Sequence, residues 1–251
     1  MIENAKLLTC GFVKIIDKTT REVLVDTTND ILYGNISAAF AHSLIGNPSM
    51  KLFYLGFGNG AAYVGTTGSI AYKQSLGGTA GLIKQPTANL YNTVYVKQLT
   101  NDSSLSQNVL SQAYIGTENY ATNYEDIIIN VNLDYTEPPT GIISSSNIQQ
   151  TTIDNSTFVG SPSTAVTTDF NPNTLVFNEI GLFSGTPNIF TGDHTSTTTD
   201  VSTFVGTSTT FSPTAGTASK LMLTHAIFHP VQKSANRALE IVYTLRVQMG
   251  I

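Results

Sequence analysis

The chain contains no tryptophan and a single cysteine, and only 12% of its 251 residues are charged. One cysteine, Cys10, excludes an internal disulfide framework and a zinc site built from several thiolates. It lies in an apolar run and is expected to be a small buried hydrophobe. The charged share is roughly half that of an ordinary soluble domain. Such a surface does not suit a free helical enzyme, whose exposed faces carry Lys, Glu and Arg. Long apolar runs are also missing. None approaches about 18 residues, so no membrane span is expected, and no basic start followed by an apolar core marks a secretory signal. The expectation is a soluble product that reaches its site by assembly or by lysis.

Positive charge is absent from the whole middle of the chain. No Lys or Arg occurs between Lys97 and Lys220, a stretch that holds eleven acids, while the flanks carry all twelve bases and the remaining six acids. With a net charge of -5 this argues against general nucleic-acid affinity. The asymmetry reads either as polarity that orients subunits in an assembly or as a solvated acidic surface without a partner.

In place of charge stand Thr, Ser, Asn and Gly, alongside 41% hydrophobic residues. A chain of this length can bury roughly three quarters of its unfolded surface, so it needs no metal or disulfide staple. Leu8 to Asp17 and Glu22 to Asp26 are short β-rich runs split by Lys18-Thr19-Thr20-Arg21, a hairpin pattern. One helix follows: Thr28, Asn29 or Asp30 offers a cap, Leu32, Ile36, Phe40 and Leu44 repeat every four residues, and Gly46 with Asn47-Pro48 ends it. Leu52 to Phe57, Tyr91 to Leu99, Leu175 to Phe183 and Leu221 to Phe228 read as strands. Asp126 to Tyr135 alternates cleanly, with Ile127, Ile129, Val131, Leu133 and Tyr135 on one face, and Leu239 to Gln248 does the same.

The fold expected is all-β, an antiparallel β-sandwich with one N-terminal α-helix, in a single β-rich domain over 1–251. Two Ser/Thr-rich insertions interrupt it, at about 141–173 and 191–217, the second with eleven threonines. They read as long ordered arms held by neighbouring subunits or as mobile loops.

Chemical motifs are mostly absent. Gly56-Phe57-Gly58-Asn59-Gly60 lacks the Lys-Ser/Thr ending of a P-loop and the dinucleotide spacing, so it reads as a structural turn whose glycines allow positive φ. His225 and His229 would share one face of a helix. On the strand suggested by their neighbours they stand about 13 Å apart, too far for one metal ion, and Pro230 closes the segment. They read as structural histidines, hydrogen-bonded at a strand end or subunit contact. No Gly-x-Ser-x-Gly elbow is present, and Glu125 and Asp126 point to opposite faces of a strand. No catalytic residue, cofactor or metal is assigned.

Phe177-Asn178-Glu179-Ile180-Gly181-Leu182-Phe183, followed by Leu223-Thr224-His225-Ala226-Ile227-Phe228-His229-Pro230-Val231-Gln232-Lys233 and a closing alternating strand, resembles virion structural proteins of tailed bacteriophages. Gly11-Phe12-Val13-Lys14-Ile15, Glu22-Val23-Leu24-Val25-Asp26, Asn29, Asn35-Ile36-Ser37, Ala41, Phe57-Gly58-Asn59-Gly60, Leu90-Tyr91-Asn92 and Tyr243-Thr244-Leu245-Arg246-Val247-Gln248 look like the same group. The resemblance covers both ends and patches of the centre, and the two insertions lie outside it.

What it implies is a non-enzymatic component of an assembled particle, located in the virion and put together in the host bacterial cytoplasm. Its partners would be copies of itself, other virion proteins and fibre proteins, with no direct nucleic acid and no membrane. A place in the tail, neck or baseplate, as adaptor or fibre attachment, stands beside a head-associated role and beside a host-glycan-binding module. The residues expected to carry interaction or structure are Glu179, His225, His229, Lys233, Arg237 and Arg246. Glu179, among apolar neighbours, is expected to pair with Lys233, Arg237 or Arg246, or else to sit at a solvated strand edge.

Overall fold

The computed structural model describes residues 6–46, 51–64, 68–77, 84–85, 88–99, 111–115, 124–135, 175–185, 221–234 and 236–250. The insertions expected at about 141–173 and 191–217 lie outside them. In chain order the elements are β1 (Lys6–Asp17), β2 (Val23–Ile31), α1 (Tyr33–Leu44), β3 (Lys51–Gly58), β4 (Ala62–Val64), β5 (Ile70–Tyr72), β6 (Thr93–Gln98), β7 (Ser111–Ile115), β8 (Tyr124–Leu133), β9 (Leu175–Gly185), β10 (Leu221–Met222), β11 (Thr224–Lys233) and β12 (Leu239–Gly250).

The all-β expectation holds, with a single helix among the described residues. Ladder hydrogen bonds join ten strands into one antiparallel sheet, ordered β6-β3-β9-β11-β2-β1-β12-β8-β7, with β10 also on β9 and a separate β4-β5 hairpin. The two halves of this sheet are linked by only two β2–β11 pairs, Thr224 with Ile31 and His225 with Asp30. The sheet curls there, so that Leu55 and Phe57 of β3 and Tyr95 of β6 share a core cluster with Val13, Ile15, Ile129, Val131, Ile241 and Tyr243 from the far half. A two-sheet sandwich was the finer expectation; the ladder runs through β2 and β11 and joins ten of the described strands into one curled sheet, with β4 and β5 outside it.

Alternation places the core. In register, Val13, Tyr243 and Ile129 form one row across β1, β12 and β8, and Ile15, Ile241 and Val131 the next. All six are fully buried, each worth about 1.5–3 kcal/mol of apolar transfer. The intervening side chains of β1 face outward, and Cys10 is among them. It is exposed, not buried, because Val13 and Ile15 set the strand's inward phase and Cys10 has the opposite parity.

Helix α1 follows β2 with no gap for a polar cap. Thr28, Asn29 and Asp30, expected to cap it, belong to β2. The residue before the helix is Leu32, whose carbonyl accepts from Asn35 and Ile36 N–H, with no side-chain cap. Leu32 and Ile36 are buried, whereas Phe40 and Leu44 of the same stripe are 46% and 72% exposed. Gly46, at φ +72°, ends the helix as expected.

A second, smaller cluster lies on the other face of β3 and β9. It consists of Leu32, Tyr54, Leu90, Phe183 and Met222, with Leu76 and Ala88 packed against it. Both faces of β9 are therefore covered, and Phe177 through Ser184 are buried without interruption.

Candidate functional site

Glu179 stands in the middle of β9 with its side chain fully buried. A buried carboxylate must be neutralised or heavily hydrogen-bonded. Here the donors are the backbone N–H groups of Gly60 and Asn92 to Oε1, each at 3.0 Å, the N–H of Tyr91 to Oε2 at 3.0 Å, and His225 Nε2 to Oε2 at 2.9 Å. An ionised carboxylate has about four lone-pair positions, and all four are filled. One N–H of the glycine loop, that of Gly60, thus does hold an anion together with the N–H groups of Tyr91 and Asn92, and the anion is the chain's own Glu179.

The loop glycines serve close approach and not positive φ. Among described glycines only Gly46 and Gly68 have positive φ. A Cβ on Gly58 would stand 2.5 Å from Glu179 Oε1 and 2.7 Å from the Asn92 carbonyl, and one on Gly60 would stand 2.8 Å from Asn92 N. Neighbouring amides complete the knot: Asn178 Oδ1 accepts from Ala61 N–H and its Nδ2 donates to the Asn59 carbonyl, both at 3.0 Å, while Asn92 Nδ2 donates to Asn59 Oδ1 at 2.5 Å.

His225, on β11, is equally buried. Its Nδ1 lies 3.2 Å from the backbone N–H of Leu76. A backbone N–H only donates, so Nδ1 accepts and the ring proton sits on Nε2, facing Glu179. Tyr91 packs on the imidazole with ring centroids 5.7 Å apart, and Lys73 Nζ lies 4.3 Å from the Tyr91 ring centroid. Burial, and then the Glu179 charge, push the Tyr91 phenol up from its usual range. Burial pulls the Lys73 ammonium down, and the Glu179 charge opposes that shift.

Of the bases expected to pair with Glu179, each has a different partner. Lys233 is buried and donates to the Ser234 carbonyl at 3.0 Å. Arg237 Nε donates to Asp17 Oδ2 at 2.6 Å. Arg246 makes a bidentate pair with Asp126, 2.8 Å on both arms, and stacks 3.8 Å from the Tyr124 ring centroid. The pairing expectation is corrected to His225, because β11 carries its histidine diagonally opposite Glu179, two residues from its ladder partner Ile227, while Lys233, Arg237 and Arg246 are engaged elsewhere. His229 is exposed, with Nδ1 3.2 Å from Tyr72 Oη. Past Ile227 β11 carries a bulge that takes in His229: Ile227 pairs with Glu179 and Val231 with Phe177. The bulge absorbs Pro230, which has no N–H to give the ladder.

A second buried polar chain crosses the core. Asn29 Nδ2 donates to the Tyr243 hydroxyl, which donates to Thr224 Oγ1, which accepts from Leu182 N–H at 3.2 Å. Gly11 leaves room for Asn29, whose side chain a Cβ there would overlap. Asn35 ties the helix to the Met222 carbonyl at 2.8 Å and to both backbone groups of Gln85. Asn178, Asn59, Asn92, Asn29 and Asn35 all lie in the short motifs quoted from the sequence, yet none stood out as a partner of a named group. Asparagines at loop ends are the one sequence signal for such ties.

Among the described residues no three His, Cys, Asp or Glu side chains come together as a metal site, and no helix is long and apolar enough to cross a membrane. No family model, no curated protein and no solved structure matches this chain.

Proposed function

We propose that this chain is a non-enzymatic structural subunit of a tailed-bacteriophage virion. It assembles with copies of itself in the tail, neck or baseplate region, where it serves as adaptor or fibre attachment; a head-associated place is the nearer alternative within the same class. The observation that carries this reading is the saturation of Glu179. The most conspicuous acid of the recognised motifs has every acceptor position filled by the chain itself and no exposure to solvent. A general base must be free to take a proton from a bound molecule; this carboxylate instead ties β9 and β11 to the 59–61 and 90–92 segments. Arg237 and Arg246 are likewise engaged with acids of the same chain. Motif residues spent on internal ties suit a subunit whose task is to keep its shape under load.

The test is the mass of the purified full chain in solution, by light scattering across concentration and salt. A discrete oligomer, or rings that form as concentration rises, supports the proposal. A monomer at every concentration that binds bacterial polysaccharide overturns it in favour of a glycan-binding module.

A further inference from the structure

The segment 72–77 crosses the outer cluster as a strap, fastened at its start by the β4–β5 ladder and further along by hydrogen bonds to other segments. Lys73 N–H donates to the Ala61 carbonyl at 2.8 Å. The Tyr91 hydroxyl donates to the Gln74 carbonyl at 2.6 Å. Tyr72 Oη meets His229 Nδ1, and Leu76 N–H donates to His225 Nδ1. Two of these fasteners end on a histidine ring nitrogen, and they respond differently to a proton. A tyrosine hydroxyl can donate or accept, so the His229 contact survives protonation by reversing its direction. A backbone N–H cannot reverse. A proton on His225 Nδ1 would set two N–H groups against each other at 3.2 Å.

We propose that His225 is a pH-sensitive latch that holds the 72–77 strap closed when neutral and releases it when protonated. The charged and titratable groups around the imidazole favour this route. Glu179 of β9 is already bonded to Nε2 and gains an ion pair with the imidazolium, so the positive charge is compensated in place. Tyr91 of the 88–92 segment stays neutral, Lys73 rides on the strap itself, and Asp30 of β2 is the ladder partner of His225. The unfavourable consequence of protonation falls on Leu76 N–H, and the strap is the element that can move. Gly77 packs so closely on Asp30 and Ile31 that a Cβ there would stand 2.4 Å from Asp30 Cβ; release of Leu76 therefore uncovers the β2–β11 junction. Sign follows from linkage: the open strap binds one more proton than the closed one, so acid favours opening.

The experiment is hydrogen exchange on the full chain, resolved to the 68–77 region and corrected for intrinsic rates, from about pH 7.5 to about pH 5. Expected is a loss of protection of at least about tenfold at Leu76 and its neighbours, the scale of one buried hydrogen bond, while β1 and β12 keep theirs. His225→Gln retains a donor for Glu179 and leaves the strap open at both ends of the range; His229→Gln retains the pH step. Strap protection that does not change with pH overturns the proposal. So does loss shared equally with β1 and β12, or disappearance of the step in His229→Gln. If His225→Gln does not fold, the wild-type profile and the His229→Gln control still decide.

Discussion

Lys97 Nζ lies 2.5 Å from the carbonyl oxygen of Asn132, and the ammonium is almost wholly buried. Lys97 belongs to β6, the first strand in the sheet order, and Asn132 to β8, the eighth. A single side chain thus bridges strands that the hydrogen-bonded ladder places seven steps apart, and the bridge is what the curl looks like at its seam. Lys97→Ala removes the donor and leaves a cavity, with an expected loss of about 3 kcal/mol. Urea unfolding checks it against Lys14→Ala on the outer face of β1, where a change within about 0.5 kcal/mol is expected.

Glu179→Gln replaces two acceptor oxygens by one oxygen and one donor group. At least one of the Gly60, Tyr91, Asn92 and His225 N–H groups is then opposed by another N–H. The expected loss is about 2–4 kcal/mol, read as a lower urea midpoint. An unchanged midpoint together with an unchanged oligomer would show that the tie holds nothing.

Gly58→Ala forces a methyl against Glu179 Oε1 and against the Asn92 backbone, which cannot swing away as a side chain can. Overpacking of this kind costs about 1–3 kcal/mol. Gly46→Ala meets open space but must adopt positive φ, for a loss of about 1 kcal/mol. Thermal melting of both variants should rank Gly58→Ala as the more damaging.

Asp17 gives the acid limb of the stability profile. Its Oδ1 accepts from Thr19 and Thr20 N–H, closing the β1–β2 turn, and Oδ2 takes Arg237. These bonds hold its carboxyl down to about 2. A lowered folded value means the contribution is complete above the unfolded value of 3.8 and is lost as pH falls through about 2. The amount is on the order of 1–2 kcal/mol. Unfolding from pH 5 down to pH 2 should show that much less slope in Asp17→Asn than in the parent.

The regular parts of the fold were legible because alternation is a local signal. β8 and β12 were read from the alternation of Ile127 to Tyr135 and of Leu239 to Gln248, β1 as a β-rich run from Leu8 to Asp17, and the helix from its four-residue stripe and Gly46. The short β4, β5 and β7 were not read, since three to five residues carry too little period. The cap of α1 was misplaced because Thr28 to Asp30 look like cap residues whether or not a strand runs through them. Glu179 and His225 were both singled out, but not as partners. Matching by formal charge selects Lys and Arg, whereas this carboxylate is held by a neutral ring and three backbone N–H groups, and backbone donors have no letter in a sequence.

The pairing of β1 with β12 sets an order of events. Lys6 lies opposite Gly250 and Asp17 opposite Leu239, with every residue between them matched. The pair at the centre of the β2-to-β7 half of the sheet therefore joins segments separated by more than two hundred residues of chain. Contacts of such separation are slow to form, since the closure entropy precedes any gain from pairing. On the ribosome β1 must wait beside β2 with its other edge open until β12 has emerged. The sheet of this chain is thus completed only when β12 arrives, and during that wait the open edge of β1 is the surface most in need of protection from other chains.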